Sequence, residues 1–231
     1  MALSKIKPLC VTVFLLCCVY SFSQNEDTKD LEGWSSIRLK YKLNKKWSFE
    51  LEEQLRLDED ISEISGYFTQ LSAEYTLIKN FKIGGGLRFT RVNDNEGKVQ
   101  GYENYFRFQL DASYKHKINN FSLIYRFRYQ NRNEFSVDDY ANQKLRLKAG
   151  IEYNIKNWKL DPKFSAEIFN RIGEADDRGF KKYRLTLGTD YKFEKLGTIG
   201  LFCRMEEELN ETMPKTTNII GLKYTYTIKN K

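Results

Sequence analysis

From Gly33 onward apolar and polar side chains alternate residue by residue, a period that strands can sort onto two faces and a helix cannot. The segment from Phe121 to Gln130 shows it best. Phe121, Leu123, Tyr125, Phe127 and Tyr129 share one face, and Ser122, Arg126, Arg128 and Gln130 share the other, with Ile124 as the one exception. The same division recurs in 144–153 and 182–193. Read along the whole chain, it predicts eleven strands: 34–43, 47–57, 66–77, 81–92, 102–115, 121–131, 140–153, 158–169, 180–193, 198–209 and 216–228.

Most of these runs are long enough to cross a bilayer at a tilt, for which about 9–11 residues suffice. The connections alternate between short turns rich in Asn, Lys and Gly and longer loops, as in an outer-membrane barrel with periplasmic turns and extracellular loops. Aromatic residues gather beside the short turns: Tyr41 and Trp47, Tyr75 and Phe81, Tyr114 and Phe121, Tyr153 and Trp158, Tyr191 and Phe193. Such a row is what an interfacial girdle requires. A soluble sandwich is the competing fold, but its dry core would have to hold a whole face of arginines. The expected class is therefore all-β, an antiparallel transmembrane β-barrel of 10–12 strands.

Strand parity constrains the closure. Eleven strands cannot close as a purely antiparallel cylinder, so twelve are preferred over ten, with 24–33 supplying a further crossing or threading the lumen. Glu53 falls on the lipid face between Leu51 and Leu55, where a bulge or a place near the rim would relieve it. Pro162 is expected near the turn end of its strand.

Residues 1–23 read as a secretory signal: Lys5 and Lys7, an apolar run from Leu9 to Val19, and Ser21-Phe22-Ser23 before Gln24. The remaining 24–231 form one barrel domain destined for the bacterial outer membrane. Cleavage would leave Cys203 as the single cysteine, which excludes an intrachain disulfide. A mean hydropathy of −0.62 and an apolar run far short of a helical span exclude a helical membrane protein. The high aromatic content, 15%, excludes disorder.

The opening Trp34 with LNKKW at 43–47, Gln54 and Arg56, the YRFRYQ run at 125–130, Glu167-Ile168-Phe169-Asn170 and Tyr183-Arg184-Leu185 give the mature chain a further reading. In these patterns it resembles a family of outer-membrane β-barrels known as a domain of unknown function, DUF2490. The resemblance implies the barrel and offers no catalytic residues.

Chemistry has few places to sit. His116, the only histidine, lies in a Lys-His-Lys turn and reads as solvated. Asp58, Asp60 and Glu63 in the first long loop are weak candidates for calcium, and an acidic outer rim would share divalent cations with neighbouring lipopolysaccharide. No glycine-rich phosphate loop is present, and Gly84-Gly85-Gly86 within a strand reads as a place of curvature or close packing. No cofactor is expected.

The lumen is the main candidate site, lined by Arg56, Arg88, Arg107, Arg126, Arg128, Arg146, Lys148, Glu152, Glu167, Arg184, Asp190, Arg204 and Glu206. Paired charges could plug it; were it open, Arg126, Arg128, Arg146 and Lys148 would favour anions along one wall. The expected role is a non-enzymatic barrel, structural or a narrow small-solute channel. The alternative is a surface hydrolase of lipid or peptide using loop carboxylates such as Glu206–Glu208. Expected partners are outer-membrane lipid, lipopolysaccharide and, during insertion, the barrel-assembly machinery. Nucleic acid is excluded because the aromatics are not free to stack on bases.

Overall fold

The structure, a computed structural model, describes residues 28–94, 101–135, 142–156, 158–173 and 178–230. The signal segment 1–23 and the proposed start at Gln24 lie outside them. Among the described residues eleven strands form one closed barrel: β1 (Lys29–Lys42), β2 (Trp47–Asp58), β3 (Glu63–Ile78), β4 (Phe81–Asp94), β5 (Gly101–Ile118), β6 (Phe121–Glu134), β7 (Asn142–Tyr153), β8 (Leu160–Ile172), β9 (Gly179–Phe193), β10 (Gly197–Glu208) and β11 (Thr216–Lys229). Each pairs antiparallel with its chain neighbours, and β1 closes onto β11 in parallel, from Lys29↔Thr216 to Lys42↔Lys229.

That parallel seam resolves the parity problem differently from the expected twelfth strand. An even number is required only if every pair is antiparallel, and parallel ladders are only slightly less stable per residue. Residues 29–33, assigned to an extra crossing, instead lengthen β1. The barrel is thus mixed and eleven-stranded, within the expected range but without the purely antiparallel closure.

The alternation sorts as the sequence implies. Across β1–β5, Leu39, Leu51, Leu71, Leu87 and Phe108 stand side by side in register on the outer surface. Outward apolar side chains such as Ile37, Leu71 and Leu147 are 65%, 56% and 56% exposed. At the short-turn end the aromatics meet across strands, Trp47 with Tyr75 at 4.8 Å and Phe121 with Tyr153 at 4.7 Å between ring centroids. Lys46 lies over Tyr75 and Lys159 over Tyr191. A second set of outward aromatics, among them Tyr67, Phe89, Tyr102 and Phe106, lies toward the loops.

Local details follow from backbone chemistry. Asn80 and Asn119 take positive φ in the two-residue turns β3–β4 and β5–β6, a conformation Asn tolerates better than most residues. Pro162 is the third residue of β8, beside the turn, as expected. The first long loop is shorter than the sequence suggests: Asp58↔Glu63 already pair, leaving only 59–62 between β2 and β3. Glu53 gains no relief from a bulge. The register shift lies at Arg56/Leu57, and Glu53 stays on the outer face, accepting a 2.9 Å hydrogen bond from Thr69. The glycines of β4 serve close approach: a Cβ on Gly84 would meet the Ala73 carbonyl at 2.8 Å.

Candidate functional site, the barrel interior

The inward faces enclose a cavity of about 790 Å³. Its lining runs from Lys40, Ser48 and Lys163 near the short turns to Val92, Arg132 and Asn142 near the loops. Among the described residues that line it, sixteen are Arg or Lys and seven are Asp or Glu, so the interior is strongly electropositive.

The charges are distributed unevenly. On the β7–β10 wall, strand register sets Lys148, Glu167, Arg184 and Glu206 side by side with alternating sign. Glu167, 5% exposed, is a hub: Arg126 reaches it at 2.8 Å, Arg146 at 2.9 Å and Arg184 at 3.6 Å. Glu206 pairs with Lys182 at 2.7 Å and with Arg184. Arg128 forks onto Asp111, and Arg146 also donates to Gln130 at 3.0 Å. Toward the turns, Lys163 joins Glu152 to Asp190, Lys115 adds to Glu152, and Lys223 adds to Asp190. Gly200 leaves room for that last pair, since a Cβ there would lie 2.3 Å from the Asp190 carboxylate. Eight of the thirteen predicted lumen residues therefore meet in ion pairs, in three separate clusters: around Glu167 and Glu206, at Asp111, and between Glu152 and Asp190.

The opposite wall is built differently. Register places Gln70, Arg88, Arg107 and Arg132 in one row, three cations abreast behind a neutral amide. Gln70 Oε1 accepts from Arg88 Nε at 2.9 Å and from Arg107 at 3.1 Å. Buried aromatics hold the guanidinium faces: Phe68 lies 3.3 Å from Arg88 and 5.5 Å from Arg56, and Trp34 lies 4.0 Å from Arg56 and 4.7 Å from Arg204. Arg204 lies on β10 of the first wall, where it donates to Thr186 at 3.2 Å, and reaches the cluster through Trp34. Among the described residues, none of Arg56, Arg88, Arg107 and Arg204 has a carboxylate within ion-pair distance.

Of the wall expected to favour anions, Arg126, Arg128 and Arg146 are held by Glu167 and Asp111, whereas Lys148 has no ion pair among the described residues. Inward arginines without a carboxylate partner among the described residues lie on β2, β4, β5, β6 and β10. The sequence reading also missed Trp34, Phe68, Phe169 and Gln70 as interior residues. Parity is the signal that could have found them, because Trp34 is in phase with Ser36 and Arg38, and Phe68 with Gln70 and Ser72.

The other candidates do not converge. Among the described residues, no group of three or more His, Cys, Asp or Glu side chains is arranged to hold a metal ion. Asp58, Asp60 and Glu63 flank a tight turn in which Asp60 and Ile61 bond through their amides to β1. Glu206 points inward, whereas Glu207 accepts from the Tyr183 hydroxyl and Glu208 from the Lys215 amide, so the three do not form a carboxylate site. His116 is exposed and stacks on Tyr114.

A family model described as "Protein of unknown function (DUF2490)" matches residues 31–210, which takes in β2 to β9 whole, nearly all of β1, and β10. Comparison with curated proteins finds no match.

Proposed function

The chain belongs to the DUF2490 family of unknown function, and we propose that it is a non-enzymatic outer-membrane β-barrel that gives small anions a narrow aqueous path. The observation that carries this reading is the excess of cations over anions lining a cavity that runs along the barrel. A low-dielectric wall around one sign of charge concentrates the opposite sign inside.

The outer surface supports the membrane placement. Its band of Leu and Ile, flanked by aromatics on both sides, would be costly against water and suits hydrocarbon between two interfaces. The apolar leader at 1–23 supports export to the bacterial outer membrane, where lipid, lipopolysaccharide and the insertion machinery would be its partners. The ion pairs of the β7–β10 wall stiffen one side, and the path follows the other.

Planar-bilayer recording of the refolded mature chain tests the proposal. Discrete conductance steps are expected, with a reversal potential in a potassium chloride gradient that reports preference for chloride. Replacing both Arg88 and Arg107 by Gln should move that potential toward zero. A silent bilayer or a cation preference would refute the anion path.

A further inference from the structure

Arg56, Arg88, Arg107 and Arg204, which have no carboxylate partner among the described residues, raise a question of their own. Cross-strand like charges directly opposite one another destabilise a sheet, and Arg88↔Arg107 is such a pair. Arg56 adds its charge to both. The same barrel sets Glu167 among Arg126, Arg146 and Arg184 and gives Arg128 its partner Asp111, so the fold is able to neutralise such clusters and does not do so here. At the equivalent place on this wall stands Gln70, whose oxygen bridges Arg88 and Arg107 with no charge to offset theirs.

The geometry also aims the donors. Guanidinium faces lie against Phe68 and Trp34, and a stacked guanidinium presents its N–H edge sideways. Arg56 and Arg88 share the Phe68 ring, and Arg56 and Arg204 share the Trp34 ring, which draws the cluster together around Arg56. The Nε–H groups of Arg56 and Arg107 are buried and have no acceptor among the described residues. The nearby carboxylates are engaged elsewhere: Glu32 accepts from the Trp34 indole at 2.6 Å, Glu52 from Arg38 at 2.7 Å, and Glu206 from Lys182 and Arg184.

We propose that Arg56, Arg88, Arg107 and Arg204, backed by Trp34, Phe68 and Gln70, form a binding site in the loop half of the lumen for a multiply charged tetrahedral oxyanion of the phosphate type. A carboxylate would occupy one guanidinium fork, whereas a phosphate dianion offers enough oxygens for two or three. The site rests on the anion-path reading for how the ligand reaches it, but binding itself needs no conduction.

The test is calorimetric titration of the full mature chain, refolded in detergent micelles, with inorganic phosphate, glycerol phosphate or acetate. Saturable one-site binding of inorganic phosphate is expected, with acetate at least tenfold weaker. Glycerol phosphate binding as tightly as phosphate would identify phosphomonoesters as ligands, and its exclusion would restrict the site to the free ion. Arg56→Gln should weaken phosphate about tenfold, the loss of one charge-assisted fork. Lys163→Gln, near the short turns on a lysine already committed to Glu152 and Asp190, should change affinity less than twofold.

Gln70→Glu guards against variants that fail to fold. It places a carboxylate between Arg88 and Arg107, so the barrel should melt higher while phosphate binding disappears. Folded protein that binds no phosphate, or a Lys163→Gln loss equal to that of Arg56→Gln, overturns the site. Phosphate binding in a barrel that passes no current would leave the site standing and sink the path; an anion current without saturable phosphate binding would do the reverse.

Discussion

Single positions show how tightly the two faces are specified. Gly221 on β11 faces inward next to Trp34, and a Cβ there would stand 1.9 Å from the Phe202 ring, which covers the bare backbone. Gly221→Ala must displace that ring into the Trp34–Arg204 stack, at a cost of about 1–3 kcal/mol. A lowered unfolding midpoint in urea should show it. Glu53 presents the opposite case, a carboxylate on the greasy face whose one hydrogen-bond partner among the described residues is Thr69. In lipid, Glu53→Leu should stabilise the barrel, raising the midpoint in vesicles but not lowering conductance, since the residue is outside the lumen. The outward position of Glu53 was legible from alternation alone, because a strand turns every second side chain the same way. The Phe202–Gly221 contact was not, because nothing in either segment says that β10 and β11 meet at that register.

Between strands, register converts a list of inward charges into circuits. Alternation identified Arg126, Arg146, Glu167, Arg184 and Glu206 as interior residues, but which arginine neutralises which carboxylate depends on cross-strand offsets. The inward charges divide into paired and unpaired groups for that reason. Lys148, Glu167, Arg184 and Glu206 fall in one row through three successive pairings. Had β8 slipped by two residues, Ser165 or Phe169 would stand where Glu167 does, and the hub would be lost with the inward face unchanged. Glu167→Gln removes the shared partner of three arginines and leaves their charges facing one another. Removing one partner of a buried pair costs about 3 kcal/mol or more. Equilibrium unfolding should show a loss of that size, clearly larger than that for Arg128→Gln, whose partner Asp111 keeps the Gln109 amide.

At the scale of the molecule, closure is what the sequence could not reveal. Alternating short and long connections reported correctly that consecutive strands run antiparallel, yet no connection joins β1 to β11, so the direction of that contact left no trace in loop length. The even count assumed there gives way to a parallel seam with a fixed offset, in which Ser35 faces Leu222 and Leu39 faces Tyr226. All four side chains lie on the outer surface, and adjacent strands stand about 4.8 Å apart, within reach of a disulfide. In a Cys203→Ser background, paired cysteine replacements at Ser35 with Leu222, and at Leu39 with Tyr226, should both cross-link on oxidation and change migration of the denatured chain. The exchanged combinations, Ser35 with Tyr226 and Leu39 with Leu222, are displaced four residues along the seam and should not. An antiparallel closure reverses the direction of travel on β11, so that if Ser35 met Leu222, then Leu39 would meet Asn218. Cross-linking of Ser35 with Leu222 but not of Leu39 with Tyr226 would therefore exclude the parallel seam and return the barrel to an even strand count.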